Sequence, residues 1–179
     1  MNAKGFGSRT VTQVAIVVKD IERASTAWAE ALGVPVPAWK LTDPEEKART
    51  KYRGRPTAAR AKLAFVPLGP VVLELIEPVG GPSTWKEHLD RHGESVHHIA
   101  FQVPDLPAAV KRLNRTAGQT LQTGDFTGGC YAYVDAIARL GVTLELLARR
   151  KGRKGRFPPA RRHRPVGPRG RRTPAGTAP

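Results

Sequence analysis

The stretch Glu94-Ser-Val-His-His-Ile-Ala-Phe-Gln-Val103 decides how this chain is read. It alternates small and apolar residues at the period of a β-strand and carries two histidines, His97 and His98, near its entrance. A similar pattern stands near the N-terminus. At an offset of 85 residues, Gln13-Val-Ala-Ile-Val-Val-Lys-Asp-Ile21 overlies His98-Ile-Ala-Phe-Gln-Val-Pro-Asp-Leu106, so that Ala15 meets Ala100, Val18 meets Val103 and Asp20 meets Asp105. Further on, Gly33 meets Gly118. A second match, at an offset of 71, lays Val71-Val-Leu-Glu-Leu-Ile76 on Val142-Thr-Leu-Glu-Leu-Leu147 and places one carboxylate, Glu74 or Glu145, inside each apolar strand. The chain holds a diverged internal duplication.

Outward from these segments the elements fall in a repeated order. A strand over 10–18 puts Gln13, Ala15 and Val17 on one face. Asp20 then caps a helix over 21–32, whose Ile21, Ala24, Trp28 and Leu32 recur at helical spacing and which Gly33 ends. A second strand is expected over 36–41. The polar, cationic segment 43–59 reads as a surface excursion, with Asp43-Pro44 opening a short helix and Gly54 and Pro56 breaking it. A hairpin follows, 61–67 and 71–77, joined at Gly69-Pro70. Ser83 caps a linker helix over 84–92. The second half then repeats the plan: a strand over 96–103, a helix led by Asp105 to about 117, a strand over 119–122, a break at Gly128-Gly129, and strands over 130–134 and 141–147.

The fold class is therefore α+β. Two tandem βαβββ modules, about 10–80 and 94–148, are each too small to bury their own sheet face and must share a cleft. Residues 1–9 are Gly-rich and read as a flexible N-terminus. Residues 149–179 are a disordered basic tail: they hold 12 of the 30 Lys and Arg and none of the 15 acids, with no periodicity and little to bury. Residues 1–148 then carry 18 bases against 15 acids, close to neutral. The tail allows only weak, salt-sensitive contacts with nucleic acid, because it lacks interleaved aromatics for base stacking. A single Cys130 rules out an intramolecular disulfide and suits a reducing compartment. No apolar run approaches the ~18 residues a membrane span needs, and 1–9 lack the apolar core of a signal peptide. The reading is a soluble, cytoplasmic protein with a small-molecule partner.

Symmetry places the candidate chemistry. A pseudo-twofold axis brings Gln13 toward His98 and Glu74 toward Glu145, four polar side chains inside apolar strands. A lone Glu in a strand is ordinarily an edge residue facing water, and a lone His a satisfied core residue. Their paired placement in a duplicated unit argues for a site instead. Two carboxylates buried at close range repel one another and demand a cation, and a divalent metal held by one imidazole nitrogen and several oxygens answers that demand. His97, one residue out of phase with His98, is expected on the opposite face in a structural role. Tyr131 and Tyr133 share a face as core or cleft lining, Cys130 reads as a small buried residue, and Trp28 as helix packing.

These residues resemble the vicinal oxygen chelate superfamily of glyoxalase I, methylmalonyl-CoA epimerase, bleomycin-resistance proteins and extradiol dioxygenases. The resemblance covers about 10–148 and is strongest in Leu73-Glu-Leu-Ile-Glu-Pro-Val-Gly-Gly-Pro-Ser83 and 93–106, the epimerase-like branch. It implies one metal ligand from each of four strands, falling here on Gln13, Glu74, His98 and Glu145, for one divalent ion of Zn, Ni, Co, Mn or Fe, and it implies a homodimer. Departures narrow the reading. Val17 stands where glyoxalases place an Arg for glutathione; Asp135-Ala-Ile replaces the usual His-Pro-Lys; Lys62 aligns with a carboxylate that is a base in some epimerases.

The function implied is a metal-dependent epimerase, isomerase or lyase acting on an acyl thioester or hydroxycarbonyl compound. Two vicinal substrate oxygens would chelate the metal, while Glu145 removes a carbon-bound proton and Glu74 returns it. The alternative is a non-catalytic antibiotic-binding protein of the same fold. An oxygenase is disfavoured, since those enzymes offer iron two His and one Glu, and this chain has one His to give.

Overall fold

The computed structural model describes residues 5–150. In chain order the elements are β1 (Val11–Val17), α1 (Ile21–Leu32), β2 (Trp39–Leu41), α2 (Glu45–Ala48), β3 (Lys51–Tyr52), β4 (Arg55–Pro56), β5 (Arg60–Leu68), β6 (Val71–Val79), α3 (Thr84–His92), β7 (Ser95–Gln102), α4 (Leu106–Thr116), β8 (Gln119–Phe126), β9 (Gly129–Asp135), α5 (Ile137–Leu140) and β10 (Thr143–Arg149). All strands among the described residues join one sheet in the order β2-β5-β6-β1-β7-β10-β9-β8-β3-β4. The duplication is visible in that order. In each module the first strand pairs in parallel with the last (β1 with β6, β7 with β10), and the remaining strands step outward antiparallel. The modules meet where β1 and β7 run antiparallel at the centre.

Local chemistry sets the helix ends. The Asp20 carboxylate accepts from the Glu22 and Arg23 amides, and the Asp105 carboxylate from the Ala108 amide, each satisfying amides that an N-terminal turn leaves free. Ser83 caps α3 in the same way. Ile21 and Ala24 of α1 bury against Val66, Leu73 and Leu75, while Ala109 and Leu113 of α4 bury against Val134, Leu144 and Leu146. These two helices cover the outer face of the sheet, one per module. Trp85 of α3 covers the inner face, packing with Ala15, Val17, Ile76, Ala100, Tyr131, Tyr133 and Leu147. No helix among the described residues is long and apolar enough to cross a membrane.

Several expectations shift. The second strand is confined to Trp39–Leu41, because Pro35 and Pro37 have no amide to give a ladder. Segment 43–59 is no free excursion. It carries α2, β3 and β4 across to the second module, where β3 pairs with β8 and Arg49 with Asp125; Arg53 pairs with Glu87 of α3, and Ala48, Thr50, Thr57 and Ala59 are buried. β8 runs on to Phe126, and the short α5 precedes β10. Cys130 is half-buried. Within the supposed flexible N-terminus, Phe6 meets Phe101 edge to face with ring centroids 5.1 Å apart. The boundary set at 148 also falls early, since β10 runs to Arg149 and Arg150 pairs with Asp125 at 2.9 Å. The rest of the basic segment, 151–179, lies outside the described residues.

The matched glycines serve different ends. Gly33 takes a left-handed φ of 64° to close α1, and open space surrounds it. At Gly118 a Cβ would lie 1.4 Å from the Asp135 backbone oxygen, so the α4-β8 turn passes directly over the end of β9. Gly33→Ala should therefore cost about 1 kcal/mol of left-handed strain, whereas Gly118→Ala should cost about 3 kcal/mol or more because backbone must move. Urea unfolding of both variants checks the ranking, and equal losses would contradict it.

Candidate metal centre and its supporting histidine

The site lies on the four central strands, β6-β1-β7-β10, each contributing one side chain to the inner face. Glu74, His98 and Glu145 are buried and offer ligand atoms within 4.8 Å of one another. His98 Nε2 stands 3.1 Å from Glu145 Oε2 and 3.6 Å from Glu74 Oε2. Gln13 Nε2 donates to Glu74 Oε2 at 3.4 Å. All four residues picked from the duplication are brought together.

The sequence put His97 on the opposite face, and the structure corrects this. β1 and β7 do not pair in unbroken register: Ala15 faces His98 but Ile16 faces Val96, and Val11 faces Phe101 but Gln13 faces Ala100. His97 and Thr12 are the extra residues of two β-bulges, related by the same offset of 85 that aligns the modules. A bulge lets two residues oppose one and re-aims the side chain it carries. Each bulge immediately precedes a site residue, His98 or Gln13. His97 consequently turns inward and is buried, its Nδ1 2.8 Å from His98 Nδ1, while Val96 goes to the outer face and is exposed.

That contact sets the His98 tautomer. Burial, above all, holds His97 well below the usual histidine pKa, so it is neutral at pH 7. The Thr84 backbone acts on the ring so as to raise its proton affinity, as a carbonyl that accepts from the ring does. A neutral imidazole that donates from one nitrogen accepts at the other. His98 must then donate from Nδ1, which leaves a lone pair on Nε2, the atom turned toward the carboxylates. Although Glu145 Oε2 is near, His98 Nε2 makes no hydrogen bond, in keeping with a lone pair there.

Electrostatically the centre lacks positive charge. Burial pushes His98 down to about 3, so it too is neutral. Burial raises Glu74 well above the usual carboxylate range, and the Glu145 charge adds to the rise. Glu145 is raised chiefly by burial, with the Tyr133 hydroxyl opposing. Gln13 Oε1, His98 Nε2 and Glu145 Oε2 are all buried without a hydrogen-bond partner. Three orphaned donor-pair atoms, two carboxylates and a fixed imidazole lone pair fit a divalent cation. Around them the inner wall is closed by bonds the sequence did not reveal. Trp85 Nε1 donates to the Tyr133 hydroxyl at 3.1 Å, Gln122 Nε2 to the Tyr131 hydroxyl at 3.1 Å, and the Thr84 amide to Gln122 Oε1 at 2.9 Å. Tyr131 and Tyr133 line the cleft, as expected. Lys62, aligned with a family base, instead pairs with Glu77 at 2.7 Å.

A family model described as Glyoxalase/Bleomycin resistance protein/Dioxygenase superfamily matches residues 12–134. The chain is 28% identical over 157 residues to a 2-epi-5-epi-valiolone epimerase of Actinomyces sp, covering 82% of this chain and 84% of that protein. It is 28% identical over 116 residues to an ethylmalonyl-CoA/methylmalonyl-CoA epimerase of Cereibacter sphaeroides, covering 64% of this chain and 76% of that one. Among solved structures, methylmalonyl-CoA epimerase from Mycobacterium tuberculosis superposes with a TM-score of 0.58 at 20% identity, over 84% of this chain and 93% of the other, a likeness of fold.

Long-range proton-nitrogen NMR of the metal-free protein near neutral pH should find His98 protonated at Nδ1 and bare at Nε2. A proton on Nε2 would contradict the bulge-based account. His97→Ala should let both tautomers appear, because the acceptor that selects one is gone.

Proposed function

Because the chain belongs to the glyoxalase/bleomycin resistance protein/dioxygenase superfamily, we propose that it is a metal-dependent epimerase or isomerase that moves a carbon-bound proton of a small acyl thioester or hydroxycarbonyl substrate. The observation that carries this reading is the buried group of Glu74, His98 and Glu145, which has orphaned ligand atoms and no cation of its own. Two relatives that are named epimerases support the same chemistry. Gln13, Glu74, His98 and Glu145 would hold one divalent ion, whose charge would stabilise two vicinal substrate oxygens as an enolate develops.

The residues divide the rest of the work. Epimerisation needs one group to take a proton from one face of the substrate carbon and another to return a proton to the opposite face. Glu74 on β6 and Glu145 on β10 flank the central β1-β7 pair from its two sides and suit that division. In the metal-free protein burial raises both carboxyls, so either one, once off the ion, is a stronger base than an exposed carboxylate. Glu145, swung off the ion, would accept the carbon-bound proton while the C–H electron pair passes into the neighbouring carbonyl. Glu74, detached from the ion and protonated from solvent, would then return a proton to that carbon from the other side. One turnover leaves Glu145 protonated and Glu74 ionised, and proton exchange with solvent or turnover of the opposite epimer resets them. Tyr131, Tyr133, Trp85 and Leu147 keep water from this half of the cleft.

Glu145→Gln should lower exchange of the substrate α-proton with solvent deuterium by at least ~10²-fold. In Glu74→Gln, exchange should persist with inversion lost. Full exchange in Glu145→Gln would remove its assignment as the base.

The charges also predict how pH acts. Because Glu145 is pushed up to about 8 from 4.5, its contribution to the stability of the metal-free protein is complete at acid pH and is lost as pH rises between those values. The depressed His98 acts oppositely: its contribution is present above 6.5 and lost as pH falls toward 3. A metal that binds the deprotonated carboxylates offsets the alkaline loss. The rise in Tm on adding Zn should therefore be small near pH 5 and larger at pH 8, and should vanish in His98→Ala. A Tm shift independent of pH, or unchanged in His98→Ala, would place any bound metal elsewhere.

A further inference from the structure

The inner face is more deeply buried on one side of the candidate centre than on the other. On the second module Glu145 stands opposite Tyr133 and Leu147 opposite Tyr131, and both tyrosines are buried. The positions that answer them on the first module, opposite Glu74 and Ile76, are Phe65 and Leu63, both only part-buried. A substrate reaching Glu74 and Glu145 therefore extends over the first module. Lys40 waits there. It pairs with Leu63 across β2 and β5, which puts it on the inner face, and its Nζ lies 5.4 Å from the Phe65 ring centroid.

Lys40 differs from its basic neighbours. Lys62, one position off in the pleat, points to the outer face, where Glu77 neutralises it and Trp39 lies beneath it at 5.0 Å. Arg60 is taken up by the Thr42 carbonyl at 2.8 Å from its Nε. Among the described residues Lys40 has no carboxylate within salt-bridge distance, yet its charge is felt at Glu74. A lysine held along an aromatic ring at the less buried end of a cleft, facing an anion-lined centre, is placed to meet a ligand anion. We propose that Lys40 determines specificity by receiving a carboxylate carried on the substrate, beyond the two oxygens held at the centre and over Phe65. The inference rests on the metal-centre reading and narrows its substrates to acidic ones, setting neutral hydroxycarbonyl compounds aside.

The test uses the metal-loaded full chain and hydroxamates, which offer two vicinal oxygens to a metal. Acetohydroxamate is neutral beyond that head; the monohydroxamates of succinic and glutaric acid add a carboxylate at two reaches. In calorimetric titrations at low salt, at least one acidic hydroxamate should bind about two- to five-fold more tightly than acetohydroxamate, the range a single exposed charge pair gives. That preference should disappear in Lys40→Gln, survive in Lys40→Arg and shrink as salt is raised. The affinity for acetohydroxamate should stay the same in all three proteins, which also certifies that the variants are folded and loaded. Equal affinities in the wild type, or a preference that outlasts Lys40→Gln, would overturn the role of Lys40 and leave the metal centre standing. Failure of every hydroxamate to bind the wild type would overturn the metal-centre reading and this inference with it.

Discussion

The structure turns on the burial of two carboxylates, Glu74 and Glu145, close together in a mostly apolar strand environment. A charged carboxylate loses several kcal/mol of hydration on entering such a place, and a second one nearby adds repulsion. The described residues supply no neutralising partner at close range: His97 and His98 are themselves held neutral, and Lys40 acts only from the rim. Leu or Ile at either position would serve the core better. A chain that keeps two acids there, in equivalent positions of a duplicated unit, carries a cost that packing does not explain and ion binding does.

The duplication explains why the cost falls where it does. Each βαβββ module has one inner sheet face and one helix for its outer face, so a module alone would leave half its apolar surface in water. Joining β1 to β7 closes the inner faces on each other and sets the first strands of both modules at the centre. Whatever polar residue one module carries on the inner face of β1 or β6, the other repeats on β7 or β10. The bulges repeat as well. Without the extra residue at 97, the strict alternation of a strand would turn the His97 ring to the outer face, away from His98. The conformation of one backbone residue thus decides whether the His97 ring meets His98 Nδ1.

This sorts what the sequence could and could not reveal. Periodicity and capping residues gave the long helices almost to the residue, because Asp20, Ser83 and Asp105 act within one turn of themselves. The four candidate ligands were legible because duplication is a long-range signal written directly in the sequence. What escaped depends on pairing between strands far apart in the chain. The bulge at His97 exists only relative to β1, and the docking of β3 on β8 brings together residues about seventy apart. The Trp85-Tyr133 and Gln122-Thr84 bonds join α3 to strands that follow it by some forty residues. No local pattern encodes such contacts. The paired glycines carry the same lesson in reverse: one sequence match, Gly33 with Gly118, covers a left-handed cap in one module and a backbone collision in the other.

Symmetry that was complete would make a poor catalyst for an unsymmetrical substrate, and the second half of the chain breaks it in one direction. Tyr131, Tyr133, Gln122 and Trp85 fill the inner face beside Glu145 and tie it to α3, whereas Leu63 and Phe65 on the face beside Glu74 are only part-buried. Segment 43–59, which has no counterpart of its length in the second module, strengthens the same bias by bracing β8 through β3 and through the Arg49-Asp125 pair. The more buried half lowers the local dielectric and thereby strengthens every charge interaction at the centre. The less buried half admits the ligand and keeps one cation at its edge. Equivalent carboxylates consequently sit in unequal surroundings, Glu145 opposite the buried Tyr133 and Glu74 opposite the part-buried Phe65. That inequality is what allows two copies of one residue to take different parts in a single proton transfer.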